Sequence, residues 1–146
     1  MSPETLSSWQ FWAVLSAVFA ALTAIFAKIG VEDINSDLAT LIRTVIVLVT
    51  LALILFATGK LSHPGPVSAK TLIFLLLSGL GTGASWLCYF RALKLGPATL
   101  VAPIDKLSVV LVALFGVVFL GERPSLNGWL GIALIAAGAL LIVIKR

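Results

Sequence analysis

Thr71–Phe90 reads TLIFLLLSGLGTGASWLCYF, a run without a charge from end to end. A helix needs about 20 mostly apolar residues to cross the hydrocarbon of a bilayer, and this run meets that length. Four more segments do the same. Trp9–Ile29 is uncharged until Lys28, and Leu38–Thr58 is interrupted only by Arg43. Ala98–Leu120 carries Asp105 and Lys106, and Leu126–Ile144 is again uncharged. Leu, Ala, Val and Ile dominate without strict alternation, which favours helices over the strands of a barrel. The expected fold is therefore all-α: a multipass membrane protein, one domain over residues 1–146, with five transmembrane helices packed antiparallel in sequence order.

Composition points the same way. Of 146 residues, 60% are hydrophobic and 11% charged, with a mean hydropathy of +1.16. Soluble domains carry about a quarter charged residues, and a small one has too much surface to cover with so few. Lipid is the expected partner of most of the chain. The net charge of +4 comes from 10 Lys and Arg against 6 Asp and Glu. These cations sit at helix ends, so membrane topology explains them and nucleic acid is not an expected partner. Cys88 is the one cysteine, which excludes an intrachain disulfide and argues against a metal site. Met1-Ser2-Pro3-Glu4 lacks the positive start of a signal peptide, so the first span is expected to stay in the mature chain.

The connections read as turns. Gly30–Asp37 joins the first two spans, with Ser36 or Asp37 as candidate caps of the second. Gly59–Lys70 holds the breaker cluster His63-Pro64-Gly65-Pro66, and Gly96-Pro97 separates the third span from the fourth. Gly121–Ser125 makes the last hairpin. Such loops leave no room for a catalytic domain outside the membrane. Lys60, Lys70 and Arg123 fall on the side of the N-terminus, and Lys28, Arg91, Lys94, Lys145 and Arg146 on the other. Positive-inside then favours N-out and C-in by a narrow margin that leaves dual topology open.

No phosphate loop, metal-ligand spacing or nucleophile with a nearby base is present, so neither an enzyme nor a bound cofactor is expected. His63 reads as a solvated loop residue. The informative residues are charges inside spans, which are costly there and usually face a bundle interior or a wet cavity. Arg43 lies six residues past Asp37, and Asp105 seven past Ala98. Each is thus about 9–10 Å in from the side where its helix begins. Trp86, with Tyr89 at i+3 on the same face, falls at a similar depth ahead of Arg91, as does Thr23. One layer then holds Arg43, Trp86, Tyr89, Asp105 and Lys106. It reads either as an Arg43–Asp105 structural pair with Lys106 reaching the surface, or as a substrate cavity in which charges hold polar groups and aromatics grip the body of a small molecule. Two adjacent ionisable groups, Asp105 and Lys106, cannot both be satisfied by one arginine, which favours the cavity. Pro103 denies the Thr99 carbonyl its donor, which reads either as a loosening of the fourth helix beside Asp105 or as an ordinary proline near the first turn with little consequence.

Small residues recur at packing spacing: Ser16, Ala20 and Ala24 in the first span, Gly79 and Gly83 in the third, Gly131 and Gly138 in the fifth. Most are expected to pack helices within the chain and some to form a dimer seam. Trp9, Trp12 and Trp129 stand at helix starts as interface anchors.

From Leu77 to Ile144 the chain resembles the EamA domain of the drug/metabolite transporter superfamily. The resemblance is carried by Gly79-Leu80-Gly81-Thr82-Gly83 and by Tyr89-Phe90-Arg91-Ala92-Leu93-Lys94-Leu95-Gly96-Pro97-Ala98. It continues through Ala102-Pro103-Ile104-Asp105-Lys106-Leu107-Ser108-Val109-Val110 and Leu120-Gly121-Glu122-Arg123. Arg43 matches an arginine found early in the second helix of such domains. The resemblance implies a transporter, and a half-size one, since most members have two inverted five-helix halves. The first helix lacks the membrane glutamate of the superfamily's small multidrug exporters, so cation efflux of that kind is not expected. The expected function is a carrier for a small polar or amphipathic metabolite, anionic or zwitterionic, working by alternating access as a homodimer in a prokaryotic inner membrane. The rivals are a non-transporting subunit of a larger complex and a flippase for a lipid-linked metabolite.

Overall fold

The apolar runs are helices in the computed structural model, which describes residues 8–60, 65 and 67–144. Helix α1 is Trp9–Gly30, α2 Ser36–Ala57 and α3 Ala69–Leu95. The fourth span is divided into α4, Ala98–Asp105, and α5, Ser108–Leu120, and the fifth is α6, Leu126–Ile144. Together they give five segments long and apolar enough to cross a membrane, with Ala98–Leu120 counted as one. The described residues contain no strand. Most of the cluster His63-Pro64-Gly65-Pro66, and Lys145 and Arg146, lie outside the described residues.

Helix ends follow local chemistry. Asn35 caps α2, its Oδ1 accepting from the backbone N–H of Asp37 at 2.8 Å and of Leu38 at 3.3 Å. This corrects the expectation that Ser36 or Asp37 would cap: both are inside the first turn. At the other end, Gly59 adopts φ +68°, Lys60 N–H donates to the Leu55 carbonyl and Gly59 N–H to that of Phe56. Those two bonds close a left-handed glycine stop that satisfies orphan carbonyls. Ser68 starts α3 by accepting from Thr71 N–H at 3.1 Å. Ser125 does the same for α6, accepting from Gly128 N–H at 3.2 Å. Within lipid, hydroxyls need acceptors too. Thr40, Thr44 and Thr82 donate to the carbonyls of Ser36, Thr40 and Ser78, each four residues back.

Helix α3 runs five residues past the expected stop at Phe90, taking in Arg91 and Lys94. Both cations have acceptors at that end, so their charge does not terminate the helix. The fourth span breaks three residues after Pro103. Leu107, Val109 and Val110 each donate to the carbonyl three residues back, at 2.9–3.0 Å. The backbone there is tightened into a 3₁₀-like turn.

The chain falls into two compact units. Phe26–Leu95 holds the last turn of α1 with α2 and α3, and α2 packs on α3. Its buried residues gather near one end: Ala27, Val31, Ser36, Ala39, Thr40, Phe90 and Leu93. The other unit holds α1 up to Ile25 and everything from Gly96, with α4 and α5 packed on α6. Large apolar side chains such as Phe56, Leu76, Phe119 and Leu134 are exposed, the pattern expected where lipid is the solvent.

Candidate functional site

In the unit Phe26–Leu95, cations converge on the end where α1 and α3 finish and α2 begins. Lys28 Nζ donates to the Leu93 carbonyl at 2.7 Å, filling one of the acceptors left open by the end of α3. Lys94 Nζ donates to the carbonyls of Val31 and Ile34, closing the loop between α1 and α2 onto α3. Arg91 forms a two-point pair with Asp37, Nε to Oδ1 at 2.9 Å and Nη2 to Oδ2 at 2.6 Å. The sequence places Lys28, Arg91 and Lys94 as topological charges. Here they also hold the segment together.

Arg43 differs from these three. Its guanidinium carbon lies 4.2 Å from the centroid of the Trp86 ring and 5.4 Å from that of Phe90. Among the described residues, no carboxylate or backbone carbonyl accepts a hydrogen bond from it. Tyr89 is within electrostatic reach. A cation on aromatic faces away from water is stabilised by about 2 kcal/mol. A guanidinium can meet aromatic rings while its planar set of N–H donors remains suited to a carboxylate or phosphate. Arg43 and Trp86 thus come together, with Tyr89 one helical turn along α3 from Trp86. Phe90 joins them, which the sequence reading missed; its signal was its place four residues past Trp86, on the same helical face.

Asp105 and Lys106 belong to the other unit. They pair with each other, Nζ to Oδ2 at 3.2 Å, at the break that divides the fourth span. The same unit contains a second local device. Gly121 has φ +69° and ends α5, and Glu122 N–H returns to the Gly116 carbonyl at 3.1 Å. The Glu122 side chain folds over Gly116 so closely that a Cβ there would meet Oε2 at 2.8 Å. This gives the Gly-Glu pair of the last hairpin a structural reason.

The small residues are placed as follows. Ser16 and Ala20 are exposed and Ala24 is buried. A Cβ added at Gly79, Gly83, Gly131 or Gly138 would meet no atom of its own unit within 4 Å. Among the described residues no group of His, Cys, Asp and Glu could hold a metal ion.

Comparison with known proteins agrees with this architecture. The model of the EamA-like transporter family matches residues 7–144. A Sinorhizobium protein named "Uncharacterized transporter in cobO 3'region" is 65% identical over 137 residues, 94% of this chain and 97% of the relative. The Bacillus subtilis "Uncharacterized transporter YxxF" is 28% identical over 98% of this chain, which spans only 45% of that relative. A Yersinia pestis protein named "Probable 4-amino-4-deoxy-L-arabinose-phosphoundecaprenol flippase subunit ArnE" is 35% identical over 72 residues, 49% of this chain and 63% of the relative. No solved structure matches. With five apolar spans and a family match over nearly its whole length, the chain belongs to the EamA-like transporter family and is a multipass membrane transporter.

Proposed function

We propose that the protein is a carrier, not an enzyme, that moves a small polar or amphipathic metabolite bearing an anionic group across a prokaryotic inner membrane by alternating access. The observation that carries this reading is Arg43: a cation inside a membrane span, seated on Trp86 and Phe90, with no carboxylate paired to it among the described residues. A charge at that depth is costly unless it has a use. The edge of its guanidinium offers a fork for a carboxylate or phosphate, and Trp86 and Tyr89 offer apolar surface to the rest of the molecule. Asp105 and Lys106, at the break in the fourth span, supply a second charged element of the transport path; broken helices serve this purpose in other carriers.

The working unit is a homodimer. The match to YxxF spends almost all of this chain on less than half of that relative, which is the relation expected between a half-size carrier and one with two halves. The open faces at Gly79 and Gly83 and at Gly131 and Gly138 leave room for a second copy. An antiparallel pair reproduces the inverted symmetry that places a shared site near the membrane midplane, and the narrow charge bias permits insertion both ways, with N-out and C-in the preferred orientation.

A second reading is favoured by one observation, the similarity to a flippase subunit: the anionic group is the phosphate of a lipid-linked metabolite. Reconstitution in liposomes decides between them. Uptake of free organic acids or amino acids supports the carrier, translocation of a polyprenyl-phosphate lipid alone supports the flippase, and neither activity without an added membrane partner supports a subunit role.

A further inference from the structure

We propose that Asp37 and Arg91 are the positioning residues of the Arg43 site: their ion pair fixes the register of α2 on α3 and so seats Arg43 on Trp86 and Phe90. The proposal rests on the reading of Arg43 given above only for its meaning in transport. Its geometry stands on three observations.

The first is alignment. From Asp37 inward to Arg43 is six residues of α2, a rise of about 9 Å, and from Arg91 inward to Trp86 is five residues of α3, about 7.5 Å. The Asp37–Arg91 pair and the Arg43–Trp86 stack are therefore two rungs of one antiparallel alignment. The shielded faces agree: Ser36, Thr40, Arg43 and Val47 on α2, and Gly83, Trp86, Phe90 and Leu93 on α3. A slip by one helical ridge, three or four residues, moves Arg43 by about 5 Å along the axis and takes the guanidinium off the indole.

The second is that the α2 face at this end is small and smooth, with Ser36, Ala39 and Thr40 buried, while α3 buries the larger Phe90 and Leu93. In lipid, apolar surface does not drive helices together, so shape and polar contacts must set the register.

The third is that the other cations hold different partners. Lys28 and Lys94 bind backbone carbonyls of α3 and of the loop before α2. Among the described residues, Asp37–Arg91 is the ion pair that joins α2 to α3, and it holds by both carboxylate oxygens, which fixes orientation as well as distance.

The test reads the stack without any substrate. Trp9, Trp12 and Trp129 are changed to Phe, so that Trp86 alone fluoresces in the purified protein. The change in its emission on Arg43→Gln is the signature of the stack. Asp37→Arg or Arg91→Asp alone should abolish that Arg43-dependent change, and the exchanged double variant, Asp37→Arg with Arg91→Asp, should restore at least half of it. If either single variant does not fold, Asp37→Asn or Arg91→Gln replaces it. The proposal is overturned if the single variants keep the full Arg43-dependent signal. It is equally overturned if the folded double variant does not recover that signal, or if Arg43→Gln leaves Trp86 emission unchanged from the start. Loss of the transport reading, by an Arg43→Gln protein that transports normally, leaves this result standing.

Discussion

Lys28 and the carbonyl of Leu93 meet at 2.7 Å, so a cation at the end of α1 completes the C-terminus of α3. A hydrogen bond from a charged donor contributes about 1.5–3 kcal/mol when both groups are sheltered, and Leu93 is fully buried. Lys28→Met should therefore lower the thermal midpoint in detergent, with a loss of about 1–2 kcal/mol, while Lys28→Arg should keep most of the stability. An unchanged midpoint in Lys28→Met would show that water replaces the ammonium at no cost.

The two glycines of the last hairpin should behave in opposite ways. Gly121→Ala puts a side chain at φ +69°, a left-handed conformation that costs about 1–2 kcal/mol. At Gly116 the obstacle is Oε2, the far end of the flexible Glu122 side chain. That chain can swing aside, and alanine gains about 1 kcal/mol of helix propensity, so Gly116→Ala should be close to neutral. Thermal unfolding of the two variants, side by side, checks the contrast.

Pro103→Ala should restore a donor to the Thr99 carbonyl and draw α4 and α5 toward one continuous helix. Hydrogen exchange of the amides from 104 to 110 should slow, and stability should rise by as much as about 3 kcal/mol. If the break serves transport, activity should fall in the same variant. Unchanged exchange would locate the cause of the break in Asp105–Leu107 rather than in the proline.

Five apolar runs made the membrane fold legible, because length and absence of charge suffice to define a span. Helix ends were less legible. Asn35, Ser36 and Asp37 are three consecutive residues able to cap, and only the structure shows that Asn35 takes the role while Asp37 turns to Arg91. Arg91 and Lys94 looked like a stop after Phe90, yet α3 continues because each finds an acceptor 54 to 63 residues away in sequence. The depth of Arg43 and Trp86 could be counted from their helix starts. Their contact could not, since it depends on the rotation of α2 against α3. Phe90 had only its place four residues past Trp86 to mark it, because an apolar residue in an apolar run carries no chemical signal of its own.

Oligomeric state has a direct readout. A reporter fused after Arg146 should be found on both sides of the membrane in cells if the dimer is antiparallel. A reporter confined to the cytoplasm would exclude that form and leave a parallel pair, and a reconstituted monomer transporting at full rate would exclude the dimer.

The most direct test of the proposed carrier is flux through purified protein in liposomes, screened against pools of organic acids and amino acids, in the native chain and in Arg43→Lys and Arg43→Gln. Saturable uptake of an anionic or zwitterionic solute is predicted for the native chain. Uptake should fall at least about tenfold in Arg43→Gln, equivalent to about 1.4 kcal/mol of lost binding, and only partial activity should remain in Arg43→Lys, whose point charge lacks the planar fork. Equal uptake per folded molecule in all three proteins would contradict the assignment of Arg43 as the residue that receives the substrate.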